Sequence, residues 1–461
     1  MSSKITKLSV TNDKISARGG VSLYLRYILN IKLYGLMAVT FAPFLIISSK
    51  GLQLQQFIKQ MLAFFIDGTD MTMSGFDRKK KDKGYSALLE NHTSEMASSH
   101  QIKRFFMKFI FIKDGIYNKI LHELFIWRLL IESPKVIILG IDTMVMDNDD
   151  SKKREGNEPT YKKKKGFQPL HICWGPFLID VLFRKGSAHS NHGTDYTDRV
   201  KAVVDLIRKR YSKGVPIIIC ADSGFADQKA FDCFDGELYI HYITTSRMYK
   251  DIRDYAESID QEAYNEFTNG KSVWHYFEFA NKRASWKRFR RSIFTTLSCD
   301  EQGQYIMGFD KTDTLIYTNI GNNEIADKRL IAAGGERYLE AGSIIKLSHK
   351  RGADELIHRS IKDLATKEQL PFKKFGMNRA YYFLLVISHF IFEAYKRDVT
   401  ASVLPITAYP NTFRRRLIDF ASKITSGGGY VILNVTREIY ETFNIEKLWK
   451  KCQSPPVIQF A

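Results

Sequence analysis

A chain of 461 residues is long enough for two or three domains, and its 44% hydrophobic and 26% charged residues exclude a disordered chain. The formal net charge of +19 predicts a polyanionic partner, either nucleic acid or an acidic membrane surface. The five cysteines are scattered and form no Cys-x-x-Cys pair, which excludes a disulfide framework and a zinc ribbon. The apolar run at 36–47 is shorter than the ~20 residues of a membrane span. We therefore expect reduced thiols, no membrane association and nucleic acid as the partner.

The first predicted region, residues 1–133, has mostly helical apolar spacing. Ser98 fits the N-cap of a helix whose first turns carry Lys103 and Arg104. A recognition helix presents its side chains to DNA in this way, and a solvated basic helix face has the same pattern. We predict a helical DNA-binding region with Lys103 and Arg104 as contacts.

The next region, residues 134–245, contains two continuous apolar runs, 135–142 and 215–220, which are typical of buried strands. A carboxylate lies at the end of each run. Asp142 is the last residue of the first run, and Asp222 follows the second run after one further residue. A hairpin pattern and a helical pattern lie between the two runs. Strand, hairpin, helix and strand in this order predict the front half of an RNase H-like α/β sheet.

Residues 246–340 change to alternating strands, which we interpret as a β-rich insertion. A basic segment at 282–291 carries Trp286 and Arg288. Two interpretations of the tryptophan stay open, a ring that faces DNA and a ring that packs the sheet. Helices return in 341–400, and 401–461 mixes helices, including one predicted at 412–423, with a strand.

The segment 348–362, taken as a helix, places Arg351, Glu355 and Lys362 within roughly 40° of one another at ~100° per residue. A carboxylate between two cations can hold a divalent metal and phosphate oxygens. The alternative is an ordinary amphipathic surface helix with an ion pair between Arg351 and Glu355.

Three separated carboxylates, Asp142, Asp222 and Glu355, are therefore candidates for one site. Phosphodiester cleavage or transfer needs an activated nucleophile and a stabilised leaving oxygen, which two Mg²⁺ ions ~3.5–4 Å apart supply when carboxylates hold them. Each aspartate alone is also explained by a turn after a strand, so the prediction rests on the combination.

These residues also carry a resemblance. The spacing Arg351-x3-Glu355-x6-Lys362 resembles the last three positions of the Tyr-x2-Arg-x3-Glu-x6-Lys signature of DDE transposases of bacterial insertion sequences, with Ser348 at the tyrosine position. The motifs at 140–142, 221–225 and 377–380 resemble those of the DDE-domain group allied to piggyBac-like elements. The resemblance covers residues 8–450, approximately.

The resemblance implies a Mg²⁺-dependent transposase that cuts transposon ends and joins the 3′-OH to target DNA by cut-and-paste. Asp142, Asp222 and Glu355 would hold two Mg²⁺ ions, which Mn²⁺ can replace, and Arg351 and Lys362 would hold DNA-end phosphates. Implied partners are double-stranded terminal inverted repeats, target DNA and a second copy of the chain in a synaptic homodimer. The expected location is the nucleoid in a bacterial cytoplasm.

The expected fold is α/β, with an RNase H-like catalytic core, a β-rich insertion, a helical N-terminal DNA-binding region and a mixed α/β C-terminal tail. The expected segments are 1–133, 134–245, 246–340, 341–400 and 401–461, the last with a suggested role in dimerisation. Two alternatives stay open: an inactive transposase-derived DNA-binding regulator, and an RNase H-like nuclease without strand transfer.

Overall fold

The computed structural model describes residues 4–45, 51–151, 153–188, 195–284, 286–306, 313–349, 352–365 and 369–460, with the side chains of 352–355 outside this description. The α-helices of the described residues are, in chain order, α1 (Gly20–Asn30), α2 (Leu33–Phe41), α3 (Leu54–Asp67), α4 (Gly75–Lys81), α5 (Lys83–Leu88), α6 (Ser99–Met107), α7 (Asp114–Glu132), α8 (Asp195–Arg210), α9 (Gln228–Asp232), α10 (Lys250–Ser258), α11 (Glu324–Ala332), α12 (Ala341–His349), α13 (Gly352–Leu364), α14 (Phe375–Tyr395), α15 (Pro410–Phe413), α16 (Arg437–Thr442) and α17 (Ile445–Gln453).

The strands of the same residues are β1 (Lys14–Ser16), β2 (Ile137–Thr143), β3 (Met146–Asp147), β4 (Glu158–Pro159), β5 (Lys165–Phe167), β6 (Leu170–Trp174), β7 (Phe177–Leu182), β8 (Ile217–Ala221), β9 (His241–Ser246), β10 (Asn265–Asn269), β11 (Ser272–Asn281), β12 (Arg290–Cys299), β13 (Thr314–Thr318), β14 (Ser422–Gly427) and β15 (Tyr430–Val435). Short 3₁₀ turns occur at Thr93–Glu95, Ser223–Phe225, Gln261–Ala263 and Glu336–Leu339, and π-helical turns at Cys233–Leu238, Lys396–Thr400 and Arg414–Ile418. No helix of the described residues is both long enough and apolar enough to cross a bilayer.

The chain divides into two compact units. The helical unit comprises residues 1–120, 153–155 and 360–461, and the sheet unit comprises 121–152 and 156–359. The five segments expected from the sequence stay a prediction.

The helical unit is built around α14, which is buried along almost its whole length because apolar residues occupy every face. Helices α3 and α6 pack against it. Tyr117 stacks on Phe383 with the ring centroids 4.6 Å apart. Gly376 is required where α14 begins, because a Cβ there would lie 2.1 Å from the Ile110 carbonyl oxygen. This close approach fixes the start of the central helix.

The helix predicted at 412–423 is wrong in its second half. Helix α15 and a π-helical turn end at Ile418, and β14 then pairs with β1 and β15. The buried Arg414 guanidinium donates to the carbonyls of Phe65 and Ile66. The Arg414 bonds hold the helical half in place, and the strand pairing of β14 sets the path of the chain after residue 421.

The sheet unit contains one mixed sheet of nine strands among the described residues, in the order β10-β11-β12-β13-β9-β8-β2-β6-β7. Strands β2, β8 and β9 run parallel to one another, and the other neighbours are antiparallel. The two predicted strands are confirmed as β2 and β8, and the predicted hairpin and helix between them as β6–β7 and α8. Strand β8 is buried at every position, but β2 alternates between buried and half-buried residues. The strands of 246–340 continue this sheet beyond β9. The fold is therefore mixed α/β around a large mixed sheet.

A buried ion cluster fastens the helices to the edge of this sheet. The Asp180 side chain on β7 is 1% exposed and accepts from Arg199 Nε of α8 at 2.6 Å. His122 Nε2 of α7 lies 2.8 Å from the same carboxylate. Because a buried carboxylate needs such partners, this cluster sets where α7 and α8 cross the sheet.

Candidate active site

The first two predicted carboxylates lie side by side at the carboxyl ends of the central strands β2 and β8, a place here named the acidic edge. The parallel register pairs Ile141 of β2 with Ala221 of β8, and the next residues along the two strands are Asp142 and Asp222. Adjacent strands are ~4.8 Å apart, so the two backbones are separated by about this distance. Both side chains are half-buried. The fold therefore brings together residues that lie 80 positions apart in the sequence.

Backbone N–H groups orient both carboxylates. The N–H of Thr143 donates to Asp142 Oδ1 at 2.7 Å, and the N–H of Gly224 donates to Asp222 Oδ1 at 2.8 Å. The second bond forms because the chain turns into a 3₁₀ helix at Ser223–Phe225, with Asp222 as its N-cap. Each bond fixes one oxygen of its carboxylate.

Two histidines that were not among the predicted site residues lie beside Asp142. His171 of β6 is its partner across the strands, and His358 Nδ1 of α13 is 4.0 Å from Asp142 Oδ2. The two imidazole centroids are 5.5 Å apart. These contacts bring α13 to the edge of the sheet that carries the aspartates. No local sequence signal links His171 to His358, since the pair forms only through the fold.

Glu355 lies on α13 one turn before His358. Its side chain lies outside the described residues, and so does the whole of Arg351. Lys362 is half-buried on the same helix. Ser348, at the signature tyrosine position, is 5% exposed and its hydroxyl donates to the Ile345 carbonyl at 3.0 Å.

Tyr161 is a further residue that the sequence analysis missed. It lies in the turn between β4 and β5, which a bond of 2.8 Å from Thr160 N–H to the Lys164 carbonyl closes. Burial raises the pKa of Tyr161, and the negative charges of Asp142 and Asp222 raise it further. The available signal was a tyrosine at the start of a run of four lysines.

The donor chemistry of the paired aspartates fits a hard divalent cation, because carboxylate oxygens are the ligands such ions prefer. Among the side chains that the structure describes, no three His, Cys, Asp or Glu residues are arranged as a metal site. The two aspartates would supply only part of a ligand set for such an ion.

The remaining predicted DNA-contact residues lie on α6 and in the loop between β11 and β12. Lys103 and Arg104 are exposed on α6 in the helical unit, and the N-cap predicted for Ser98 is confirmed. Trp286 is 9% exposed and packs edge-on against Tyr317 with centroids 4.7 Å apart. In this position the Trp286 ring packs against the sheet, which is one of the two interpretations given above. The ring would have to leave the sheet in order to stack on a DNA base. Arg288 is exposed. Within the sheet unit, the structure does not bring Trp286 or Arg288 to the paired aspartates.

The fold and site define an α/β protein with paired carboxylates at the carboxyl ends of parallel strands. Residues 3–454 match the family model described as "Transposase DDE domain group 1". The chain therefore belongs to this transposase family, which is associated with transposition and DNA recombination and generally uses divalent metal ions. Members of the family are DNA-cleaving and strand-transferring enzymes.

Solved structures provide a second comparison. The chain is similar to a structure described as "Cryo-EM structure of piggyBac transposase synaptic complex with hairpin DNA", at 13% identity and a TM-score of 0.40. The alignment covers 95% of this chain and 83% of that one. No curated protein matches the sequence.

Proposed function

We propose that this chain is a Mg²⁺-dependent DNA transposase that cuts the ends of its element and joins the 3′-OH to target DNA by cut-and-paste. The observation that carries the proposal is the pairing of Asp142 with Asp222 at the ends of adjacent parallel strands, in a chain of this family. Two separate strands converge on one acidic edge, which a turn after a single strand does not explain.

The strand arrangement supports an RNase H-like core as part of the proposal. The hairpin β6–β7 lies antiparallel on one side of β2, and β8 and β9 follow in parallel on the other side. This is the strand, hairpin, helix and strand order that the sequence predicts. The core would span β2 to β9 together with α13.

Glu355 is the proposed third ligand. The contact between His358 and Asp142 brings α13 to the acidic edge, and residues three apart on a helix lie on neighbouring faces. Together Asp142, Asp222 and Glu355 would hold two Mg²⁺ ions, with Mn²⁺ as a substitute. When bound, such ions supply an activated nucleophile and stabilisation of the leaving oxygen.

The chain's own residues have separate tasks in this mechanism. The N–H groups of Thr143 and Gly224 hold the two aspartates in position, so that little reorganisation is needed when DNA binds. Arg351 and Lys362 are assigned to phosphates of the DNA end. Ser348 cannot replace the signature tyrosine from its present position, because its hydroxyl is buried and already bonded.

The DNA partners follow from charge and exposure. A net charge of +19 favours a nucleic-acid partner, and Lys103, Arg104 and Arg288 are exposed. The terminal inverted repeats and the target are the proposed duplexes. A homodimer that holds two ends is proposed as the active assembly, and Trp286 stays a candidate for DNA contact only if its ring leaves the sheet. The proposed location is the bacterial nucleoid.

A nicking assay on terminal-repeat DNA with Mg²⁺ or Mn²⁺ tests the proposal. Asp142→Asn, Asp222→Asn and Glu355→Gln are each expected to abolish cleavage and to retain DNA binding, since they remove a proposed ligand charge with little change in shape. Asp254→Asn, at an exposed position on α10, is the matched control. Cleavage at the wild-type rate by any of the three variants would overturn the site assignment.

The buried Ser348 favours one alternative, an inactive transposase-derived DNA-binding regulator. Wild-type protein that binds terminal repeats and never nicks them would establish that alternative. The other alternative, a nuclease without joining activity, is tested with a DNA end that already carries a free 3′-OH. A transposase joins this end to a second duplex, and such a nuclease does not.

A further inference from the structure

The loop between β11 and β12, residues 282–289 and here named the basic loop, lies at the end of the sheet opposite the paired aspartates. Pairing connects Arg291 of β12 to Thr318 of β13, Thr318 to Ile243 of β9, and Ile243 to Cys220 of β8. Strand β12 runs in the same direction as β8. The chain before Arg291 therefore extends toward one end of the sheet, whereas Asp222 follows Cys220 toward the other.

The separation follows from the register. Arg288 is three residues before Arg291 and Asp222 is two after Cys220, which gives ~17 Å along the strands at ~3.3 Å per residue. Strand β12 is three strands away from β8, which adds ~14 Å across the sheet at ~4.8 Å per strand. The basic loop is therefore on the order of 20 Å from the carboxylates.

Trp286 fastens the basic loop to the sheet. Its ring packs against Phe231 and Tyr317, and the Arg290 guanidinium lies 5.4 Å from its centroid. Arg290 is itself buried and bonded to Asp235 at 2.9 Å. The tryptophan and this arginine are thus structural, and they hold the rest of the loop at the surface.

The exposed part of the basic loop carries Lys282, Lys287 and Arg288. None of the three has an ion-pair partner among the residues that the structure describes. Phe289 is 67% exposed, and the Lys282 ammonium lies 5.9 Å from its ring centroid. Arg288 and Phe289 also line a recess of about 420 Å³ beside Tyr239. Cations around an exposed ring suit a sugar–phosphate backbone.

We infer that the basic loop binds phosphates of duplex DNA at a point on the order of 20 Å from the cleaved bond, separately from the acidic site. At ~3.4 Å per base pair this corresponds to about six base pairs. The inference rests on the proposed function, because it takes the acidic edge as the place where the DNA end is cut. It assigns Lys282, Lys287 and Phe289 to the DNA contact and leaves Trp286 as the anchor.

The salt dependence of binding tests the contact itself. The slope of log affinity against log salt is negative, and each lost phosphate contact makes it shallower by ~0.9. Lys282→Ala/Lys287→Ala is therefore expected to make the slope shallower by about 1.8. At 0.1 M salt the affinity should fall roughly eightfold per contact, if a contact contributes nothing at 1 M. Lys209→Ala/Lys213→Ala removes two exposed lysines elsewhere in the sheet unit and is the matched control. A slope equal to that of the control would overturn the inference.

Mapping on the DNA tests the position. All five native cysteines are buried, so a cutting reagent attached through Lys287→Cys labels one exposed place. The probe is a duplex of the terminal repeat with its flank, and Lys209→Cys is the control. Cuts centred about six base pairs or more from the cleavage point support the inference, whereas cuts at the cleavage point, or none above the control, overturn it. The mapping needs binding alone, so its failure is distinct from a failure of cleavage.

Discussion

The paired aspartates predict that the site reduces the stability of the fold when no metal is bound. The two backbones are ~5 Å apart, and two unit charges at this distance would repel by about 3 kcal/mol at an effective dielectric constant of about 20. Asp222→Asn removes this repulsion and keeps an amide oxygen to accept from the Gly224 N–H. That bond becomes weaker by about 1 kcal/mol when its acceptor is neutral. The net expectation is a gain of about 1–2 kcal/mol in the free energy of unfolding.

Urea denaturation followed by tryptophan fluorescence measures this gain. Four of the five tryptophans lie in the sheet unit, at 127, 174, 274 and 286, and report on it. In EDTA the variant should be more stable than wild type. Added Mg²⁺ should stabilise wild type, since a ligand of the native state adds stability, and should stabilise the variant less. An Asp222→Asn chain that is less stable in EDTA and responds equally to Mg²⁺ would refute the reasoning.

Three further predictions concern stability. Arg290→Ala should lower the free energy of unfolding by about 2–4 kcal/mol, because it removes the buried cation bonded to Asp235. Asn378→Ala should cost about 2–4 kcal/mol, because this buried amide bonds both the N–H and the carbonyl of Phe372 at 2.8 Å. His241→Phe should flatten the loss of stability in acid. Burial lowers the pKa of His241 below its ordinary 6.5, so its contribution is present above pH 6.5 and is lost as the pH falls further.

Urea denaturation checks each of these predictions. The control is Lys287→Ala at an exposed position, whose free energy of unfolding should stay within about 0.5 kcal/mol of wild type. An effect of Arg290→Ala as small as that of this control would contradict the first prediction. Asn378→Asp places a carboxylate without a donor at this buried position, so it should be at least as unstable as Asn378→Ala, and wild-type stability of Asn378→Ala would contradict the second. Identical stability profiles from pH 7 to 5 for wild type and His241→Phe would contradict the third.

Local sequence was sufficient for the features that short-range physics controls. The continuous apolar runs identified β2 and β8, each with an aspartate at its carboxyl end. Strand β8 is buried at every position, as such a run predicts, whereas β2 alternates between buried and half-buried residues. The N-cap at Ser98 was equally readable, because capping depends on residues within one turn.

Long-range pairing decided the rest. No local pattern states that β2 and β8 are neighbours, and only the parallel register places Asp142 beside Asp222. The same register puts the basic loop at the other end of the sheet and buries Trp286, so a cluster of charges in the sequence did not predict the side on which its tryptophan lies. The helix predicted at 412–423 ends at Ile418, and the chain then enters β14, which pairs with β1 and β15. Strand pairing and burial depend on residues that are distant in the sequence, which is why only the tertiary structure could decide these points.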